Sequence, residues 1–97
     1  MKNEQDNYHK HLIERMRQRG IAREEIETTL NKGWPAIDTK PGALGKSMVF
    51  LYNADWEGKQ FEEKEVTVYY KIKNERVVIL TAIARYGSNF PKKGDVK

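Results

Sequence analysis

Apolar and polar residues alternate most regularly over residues 65–86. Every second residue from Val66 to Ile72 is apolar, and more polar side chains stand between them. This period of two is typical of a strand with one buried face. From Val77 to Ile83 both alternating sets are apolar, which predicts a central strand that is buried on both faces.

Asn74 and Glu75 separate the two strands, and we interpret them as a two-residue hairpin turn. Asparagine tolerates the positive φ that such a turn requires, whereas glutamate does so poorly. A longer turn or a bulge would shift the register and turn side chains to the other face. With the short turn, the expected cross-strand pairs are Lys73–Arg76, Ile72–Val77, Tyr70–Ile79, Val68–Thr81 and Val66–Ile83.

Two helices are predicted ahead of the sheet. The first begins at a cap on Asp6 or Asn7 and runs to about Arg19, where Gly20 allows a left-handed end. Its apolar residues recur every four positions, at Tyr8, Leu12 and Met16, and predict one buried stripe.

The second helix is predicted over residues 23–31 and ends at Gly33, after which Trp34-Pro35 turns the chain. Residues 36–46 indicate a short edge strand and a loop, and residues 48–52 the next strand. Residues 53–64 read as a long polar connection, which is either a functional loop or the extended arms of a hairpin.

The pattern therefore predicts an α+β fold, in which two N-terminal helices pack on one face of an antiparallel sheet of three or four strands, with a short extra strand near Ile37. The 97 residues are too few for a second core. We expect a single domain with its core at about residues 7–86 and flexible tails at residues 1–6 and 87–97.

Charge and composition narrow the chemistry only partly. A net charge of +4, from 18 basic and 14 acidic residues, is compatible with a nucleic acid or an acidic partner without requiring one. The absence of cysteine excludes thiolate catalysis and disulfides. No apolar run approaches the roughly 18 residues of a membrane span, and the N-terminus lacks a signal-peptide core. We expect a cytoplasmic protein without a membrane partner.

A line of cations is predicted on the first helix, where His11, Arg15 and Arg19 follow one another at intervals of four. Two guanidinium groups there would hold a phosphate or a carboxylate, and the imidazole would act as a general acid or base. The alternative is that both arginines are solvated or paired with glutamates and that His11 packs at the boundary of the core.

A metal site is not expected. His9 and His11 would point to different sides of a helix, and the chain contains no HExxH motif. We therefore predict neither a metal nor another cofactor.

The end of the last strand could complete the cationic site. Thr81 and Arg85 fall on the predicted core side, and an arginine there needs a partner. If Arg85 and Tyr86 point towards the first helix, they share one rim with His11 and Arg15. The alternative is that Arg85 pairs with a glutamate and Tyr86 covers the edge of the core.

The opposite face of the predicted hairpin is partly apolar and has no layer assigned to it. It would bind a protein partner, a second copy of the chain or stacked RNA bases. The alternative is a solvated face that the 53–64 connection covers. Its residues are Tyr69, Lys71, Val78, Leu80 and Ala82.

The run HLIERMRQRGI at residues 11–21, the run REEIE at 23–27 and the strand VILTAI at 78–83 resemble the bacterial "domain of unknown function 4258" family. Ala22 departs from the serine or threonine cap that members often carry. The family is similar in layout to RelE-like and barnase-like ribonuclease toxin folds.

This resemblance implies a metal-independent endoribonuclease in which the RNA 2′-hydroxyl is the nucleophile and an antitoxin is a partner. The catalytic residues that we expect are His11, Arg15 and Arg85, and the binding residues are Arg19, Lys71, Tyr69, Thr81 and Tyr86.

Three hypotheses follow. The first is an RNA-binding or RNA-cleaving, toxin-like domain with a cationic cleft between the first helix and the sheet. The second is a non-enzymatic protein-interaction module, or a homodimer, that uses the face of Tyr69 and Leu80. The third is a binder of small anions at the same arginines.

Overall fold

Two helices and four strands make up the part of the chain that the computed structural model describes, which comprises residues 8–36, 39 and 41–92. The strands form one antiparallel sheet in the order β1-β2-β3-β4. This arrangement confirms the predicted α+β fold. The elements are α1 (Lys10–Arg19), α2 (Arg23–Lys32), β1 (Trp34–Pro35), β2 (Leu44–Trp56), β3 (Lys59–Lys73) and β4 (Arg76–Gly87).

Both helices lie on one face of the sheet, α1 against β4 and α2 across β2 and β3. We call this the helix face and its opposite the far face. The core lies between the helices and the sheet, because each layer buries its apolar stripe on the other. Its buried residues are Tyr8, Leu12, Met16, Ile21, Ile26, Leu30, Val66, Val68, Tyr70, Val77, Ile79 and Ala82.

The ends of α1 are set by two local motifs. His9 is the N-cap, and its Nδ1 accepts a hydrogen bond from the N–H of Leu12 at 3.2 Å. The expected cap at Asp6 or Asn7 was therefore wrong. At the other end Gly20 has a φ of 69°, and the N–H of Ile21 donates to the carbonyl of Met16 at 2.8 Å, as in a Schellman cap.

The β3–β4 hairpin confirms the two-residue turn but not the whole register. Asn74 and Glu75 have φ values of 53° and 63°, and the expected pairs are present from Lys73–Arg76 to Tyr70–Ile79. A bulge between Tyr69 and Tyr70 then leaves Leu80 without an opposite residue. The predicted pairs Val68–Thr81 and Val66–Ile83 are wrong, because Val68 faces Ala82 and Val66 faces Ala84.

The bulge reverses the side-chain direction for the rest of β4. Ala82 is fully buried on the helix face, where the prediction had placed Thr81 and Arg85. Since successive side chains alternate, Thr81 and Arg85 lie on the far face. Tyr86 remains on the helix face, against the end of α1.

Strand β4 is an edge strand rather than the predicted central one. Its apolar residues on both faces misled the prediction. One set packs under α1, and on the far face Val78 is half-buried and Leu80 is exposed.

The segment expected to be a long connection forms the two arms of a hairpin. β2 and β3 pair as far as Trp56 and Lys59, around a turn at Glu57 and Gly58, which both have positive φ. The register shifts between Leu51 and Ala54. One alternative was that this segment covers the far face. The end of the hairpin does not do so, because the ring of Trp56 lies against Tyr86 and Gly20 on the helix side.

β1 lies at Trp34–Pro35, where a turn had been predicted, while Ile37 and residues 1–6 and 93–97 lie outside the described residues. Residues 88–92 belong to the tail that was expected to be flexible. There, Phe90 N–H and Lys92 Nζ both donate to the Glu63 carboxylate, at 2.9 and 3.0 Å.

Glu75 offers a test of the hairpin turn. Replacing Glu75 by glycine should raise the free energy of unfolding by about 0.5–1 kcal/mol, because the left-handed conformation strains any residue with a Cβ. The matched control is Glu62→Gly, at an exposed strand position without positive φ. We expect that control to lower stability by a similar amount. Urea denaturation of the three proteins measures both effects, and destabilisation by Glu75→Gly would contradict the turn.

Candidate functional site

The solvent-exposed part of α1 carries four cationic or titratable side chains, with His11 and Arg15 one turn apart along one side and Lys10 and Arg17 two turns apart along another. None of them forms an ion pair with a carboxylate in the described part of the chain. His11 and Arg15 lie one turn apart on the same side of the helix, as the spacing predicted. We call these four residues the α1 cationic face.

Arg19, the third member of the predicted line, is used within the fold. Its side chain is half-buried, and Nη1 donates to the carbonyl of Ala82 at 2.7 Å. β4 is an edge strand, so this hydrogen bond satisfies a backbone group that has no strand beside it. The guanidinium of Arg19 therefore helps to hold α1 on β4.

Arg85 does not join the α1 cationic face. It lies on the far face, where Nη2 and Nε contact the Glu65 carboxylate at 2.7 and 2.9 Å, and its guanidinium stands 5.4 Å from the centroid of the Phe90 ring. This is the alternative in which Arg85 pairs with a glutamate. The predicted rim of Arg85 with His11 and Arg15 is not formed.

The other far-face candidates lie close together but apart from the α1 cationic face. Tyr69 is half-buried and stands directly opposite Thr81 in the sheet, while Lys71 is exposed and stands opposite Val78. The sheet thus separates the predicted site residues into two groups, on opposite sides of the molecule.

Tyr86 is the centre of an aromatic cluster at the end of α1. Its hydroxyl donates to the carbonyl of Arg19 at 2.7 Å. Trp56 stacks on its ring with centroids 4.7 Å apart, and the rings of Tyr52 and Phe61 lie at 5.1 and 5.9 Å. Burial, reinforced by the charge of Tyr52 and Glu25, raises the pKa of Tyr86 to about 12.

Beneath this cluster lies Lys64, a buried lysine that the sequence analysis missed. Its Nζ donates to the carbonyl of Gly20 and, at 2.7 Å, to the carboxylate of Glu25. The side chain is only 4% exposed. The same ammonium stands 5.7 Å from the ring centroids of Tyr52 and Tyr86. The sequence signal for its burial is its position two residues before Val66 and four before Val68, on the same face of the strand.

The two histidines lie closer together than predicted, with ring centroids 6.4 Å apart in an edge-on arrangement. The reason is that His9 is a cap with extended backbone rather than a helical residue. Among the described residues, no group of three His, Asp or Glu side chains could hold a metal ion. Nor does the described part contain a helix long and apolar enough to cross a membrane.

Residues 8–84 match the family described as Domain of unknown function (DUF4258). The chain belongs to the DUF4258 family. No curated protein and no solved structure matches it. The part that matches DUF4258 contains α1, α2 and three whole strands, so the α1 cationic face and Lys64 lie inside it, whereas Arg85 and Tyr86 follow its last matched residue.

Lys64 provides the first test of this arrangement in the DUF4258 domain. Lys64→Met should lower the free energy of unfolding by about 3 kcal/mol, because it removes the charge that neutralises the Glu25 carboxylate and the donor to the Gly20 carbonyl. Lys59→Met is the control, since Lys59 is an exposed lysine on the same strand. It should change stability by no more than about 0.5 kcal/mol. If denaturant titrations gave equal changes for the two variants, the buried Lys64–Glu25 pair would contribute no more to stability than an exposed lysine.

Tyr86 gives a pH dependence. Its pKa rises from an ordinary value of 10.0 to about 12 in the folded chain. Below pH 10 the phenol is protonated in both the folded and the unfolded chain, so its full contribution to stability is present. Between pH 10 and 12 the unfolded chain loses this proton first, so stability falls as pH rises.

The measurement is the unfolding free energy of the wild type and of Tyr86→Phe across that range. The variant should be less stable at neutral pH, by about 1 kcal/mol for the lost hydrogen bond. It should also lose less stability on going to high pH. Parallel pH profiles for the two proteins would show that Tyr86 does not titrate with a shifted pKa.

Proposed function

We propose that this DUF4258 domain binds RNA through the α1 cationic face. One observation carries the proposal: Lys10, His11, Arg15 and Arg17 are all exposed on one helix and have no carboxylate partner among the described residues. Side chains of this kind neutralise phosphates and release counterions, which provides most of the affinity for a nucleic-acid backbone. Glu14 is the only carboxylate on this helix.

The contrast with the other arginines supports the choice of surface. Arg19 is bonded to Ala82, and Arg85 is paired with Glu65, so neither offers a free guanidinium. Arg15 and Arg17 have no such partner among the described residues, and they lie on a helix whose C-terminal end is held by Lys64 and Tyr86. A rigid support of this kind reduces the entropy lost on binding.

A catalytic form of the proposal follows from the resemblance to RelE-like and barnase-like ribonucleases. In it His11 moves protons, Arg15 holds the phosphate one turn away, the RNA 2′-hydroxyl attacks, and no metal takes part. Arg85 has no role in this form because it lies on the far face. The setting that we infer is a bacterial toxin of the cytoplasm with an antitoxin as its partner.

Binding is tested with a fluorescent single-stranded RNA and anisotropy titrations at several salt concentrations. The double variant Arg15→Ala/Arg17→Ala should weaken binding about tenfold at low salt and reduce the slope of log K against log salt by about 1–2. The control is Lys73→Ala/Arg76→Ala, which removes the same charge from the exposed β3–β4 turn. Equal losses in both would indicate attraction by net charge alone, and no binding at low salt would reject the proposal.

Cleavage is tested separately with total RNA in the presence of a chelator. His11→Gln should abolish product formation, because glutamine keeps a polar side chain but cannot transfer the proton. It should weaken binding much less than Arg15→Ala/Arg17→Ala, because both guanidinium groups remain. Products that persist at full rate in this variant would exclude His11 as the acid or base. If the wild type yields none, the function is binding alone.

The second candidate is a protein-interaction module that uses the far face. Leu80 favours it, because this leucine stands at the bulge and is 39% exposed beside half-buried Val78. Light scattering that detects an assembly in the wild type and its loss in Leu80→Glu would support this function. An assembly that survives Leu80→Glu would count against it.

A further inference from the structure

The outer edge of β2 is open along part of its length. β1 pairs only with Ser47 and Lys46, and the irregularity in the β2–β3 pairing begins after Leu51. The open stretch, residues 48–52, therefore has β3 on one side. On its other side no strand of the described part of the chain is paired with it. We call it the β2 edge.

Strand geometry shows which backbone groups of the β2 edge point outwards. The carbonyl of Gly45 accepts a hydrogen bond from the N–H of Ala36 at 2.9 Å, on the β1 side. Backbone groups alternate between the two sides of a strand, so Val49 and Leu51 also direct N–H and C=O away from β3. Within the described residues, neither has a backbone or side-chain partner for these groups.

The side chains of the β2 edge do not protect it. It has no charged residue and no proline at Val49, Phe50, Leu51 or Tyr52. Charged residues and proline normally keep an edge strand from pairing with another strand. Leu51 is 83% exposed, more than any other large apolar residue in the described part of the chain. On the opposite edge of the sheet, Arg19 binds the carbonyl of Ala82 on β4.

We propose that the β2 edge pairs with the same edge of a second copy of this chain, antiparallel and around a twofold axis at Phe50. Phe50 then faces its own equivalent, Val49 faces Leu51 of the second copy, and Met48 faces Tyr52. Each Val49–Leu51 pair exchanges two backbone hydrogen bonds, so the interface contains four. The two sheets become one continuous sheet.

Three features make this register self-complementary. Paired residues come from the same face of each sheet, because Val49 and Leu51 both lie on the far face. The outward-pointing N–H and C=O groups of Val49 and Leu51 in one copy face those of the other copy. Phe50 then occupies a non-hydrogen-bonded pair, the kind in which opposite side chains are closest. The paired stretch is also bounded symmetrically, since the pairing of β1 with β2 reaches Ser47 on one side and the positive φ of Asn53 distorts β2 at an equal distance from Phe50 on the other.

Size and charge set the strength of the contact. Five residue pairs bury less than the roughly 800 Å² per partner of a stable standard interface. The dimer is therefore weak and depends on concentration. Its paired side chains are uncharged, while each copy carries a net charge of +4, so salt should strengthen the association by screening the repulsion.

Sedimentation velocity of the full chain over about a hundredfold range of concentration tests the proposal. The wild type should shift from monomer towards dimer, and Leu51→Lys should raise the dissociation constant at least about tenfold. Leu80→Lys is the control, with the same substitution at another exposed leucine of the sheet. It should leave the dissociation constant unchanged. Circular dichroism checks that both variants fold. We expect both to fold because both leucine side chains are exposed.

Amide exchange locates the contact independently of any variant. The N–H groups of Val49 and Leu51 should exchange more slowly as the protein concentration rises, while those in the β3–β4 turn should not change. A wild type that stays monomeric at every concentration overturns the proposal. So does a dimer that Leu80→Lys dissociates and Leu51→Lys does not. These outcomes are separate from RNA binding, which involves α1.

Discussion

The buried ammonium of Lys64 joins three parts of the fold that are distant in sequence. It lies on β3 and binds the carbonyl of Gly20, the C-cap residue of α1, and a carboxylate in the first turn of α2. Tyr86 binds the neighbouring carbonyl of Arg19. In this way the C-terminal end of α1 is anchored to the sheet, while the buried Tyr8–Leu12–Met16 stripe sets which side of the helix faces solvent. The orientation of the α1 cationic face is a consequence of this arrangement.

Features that depend on local chemistry were predictable from the sequence. The Tyr8–Leu12–Met16 stripe, the glycine stop and the turn at Asn74 all appear in the structure, because each follows from nearby residues. The bulge in β4 was not predictable in the same way. Where both faces of a strand are apolar, a slip of one residue changes no hydrophobic pattern, so the sequence contains no signal for the register.

The candidate site shows the same limit. Three arginines of one chain have different environments, since Arg19 binds a backbone carbonyl, Arg85 binds a glutamate and Arg15 faces solvent. The spacing on α1 predicted that His11 and Arg15 are neighbours. Arg85 lies on a strand more than sixty residues later, and the face on which its side chain lies depends on the bulge. Lys64 was missed because its partners, Gly20 and Glu25, are far away along the chain.

Mapping by nuclear magnetic resonance tests the central claim most directly, which is that the exposed cations of α1 form the surface that contacts RNA. The backbone amides of the folded chain are recorded during titration with a short single-stranded RNA at low salt. The account predicts that chemical-shift changes concentrate in residues 10–17 and leave the far face around Arg85 and Leu80 unchanged. Changes centred on the far face, or none at all, would contradict it.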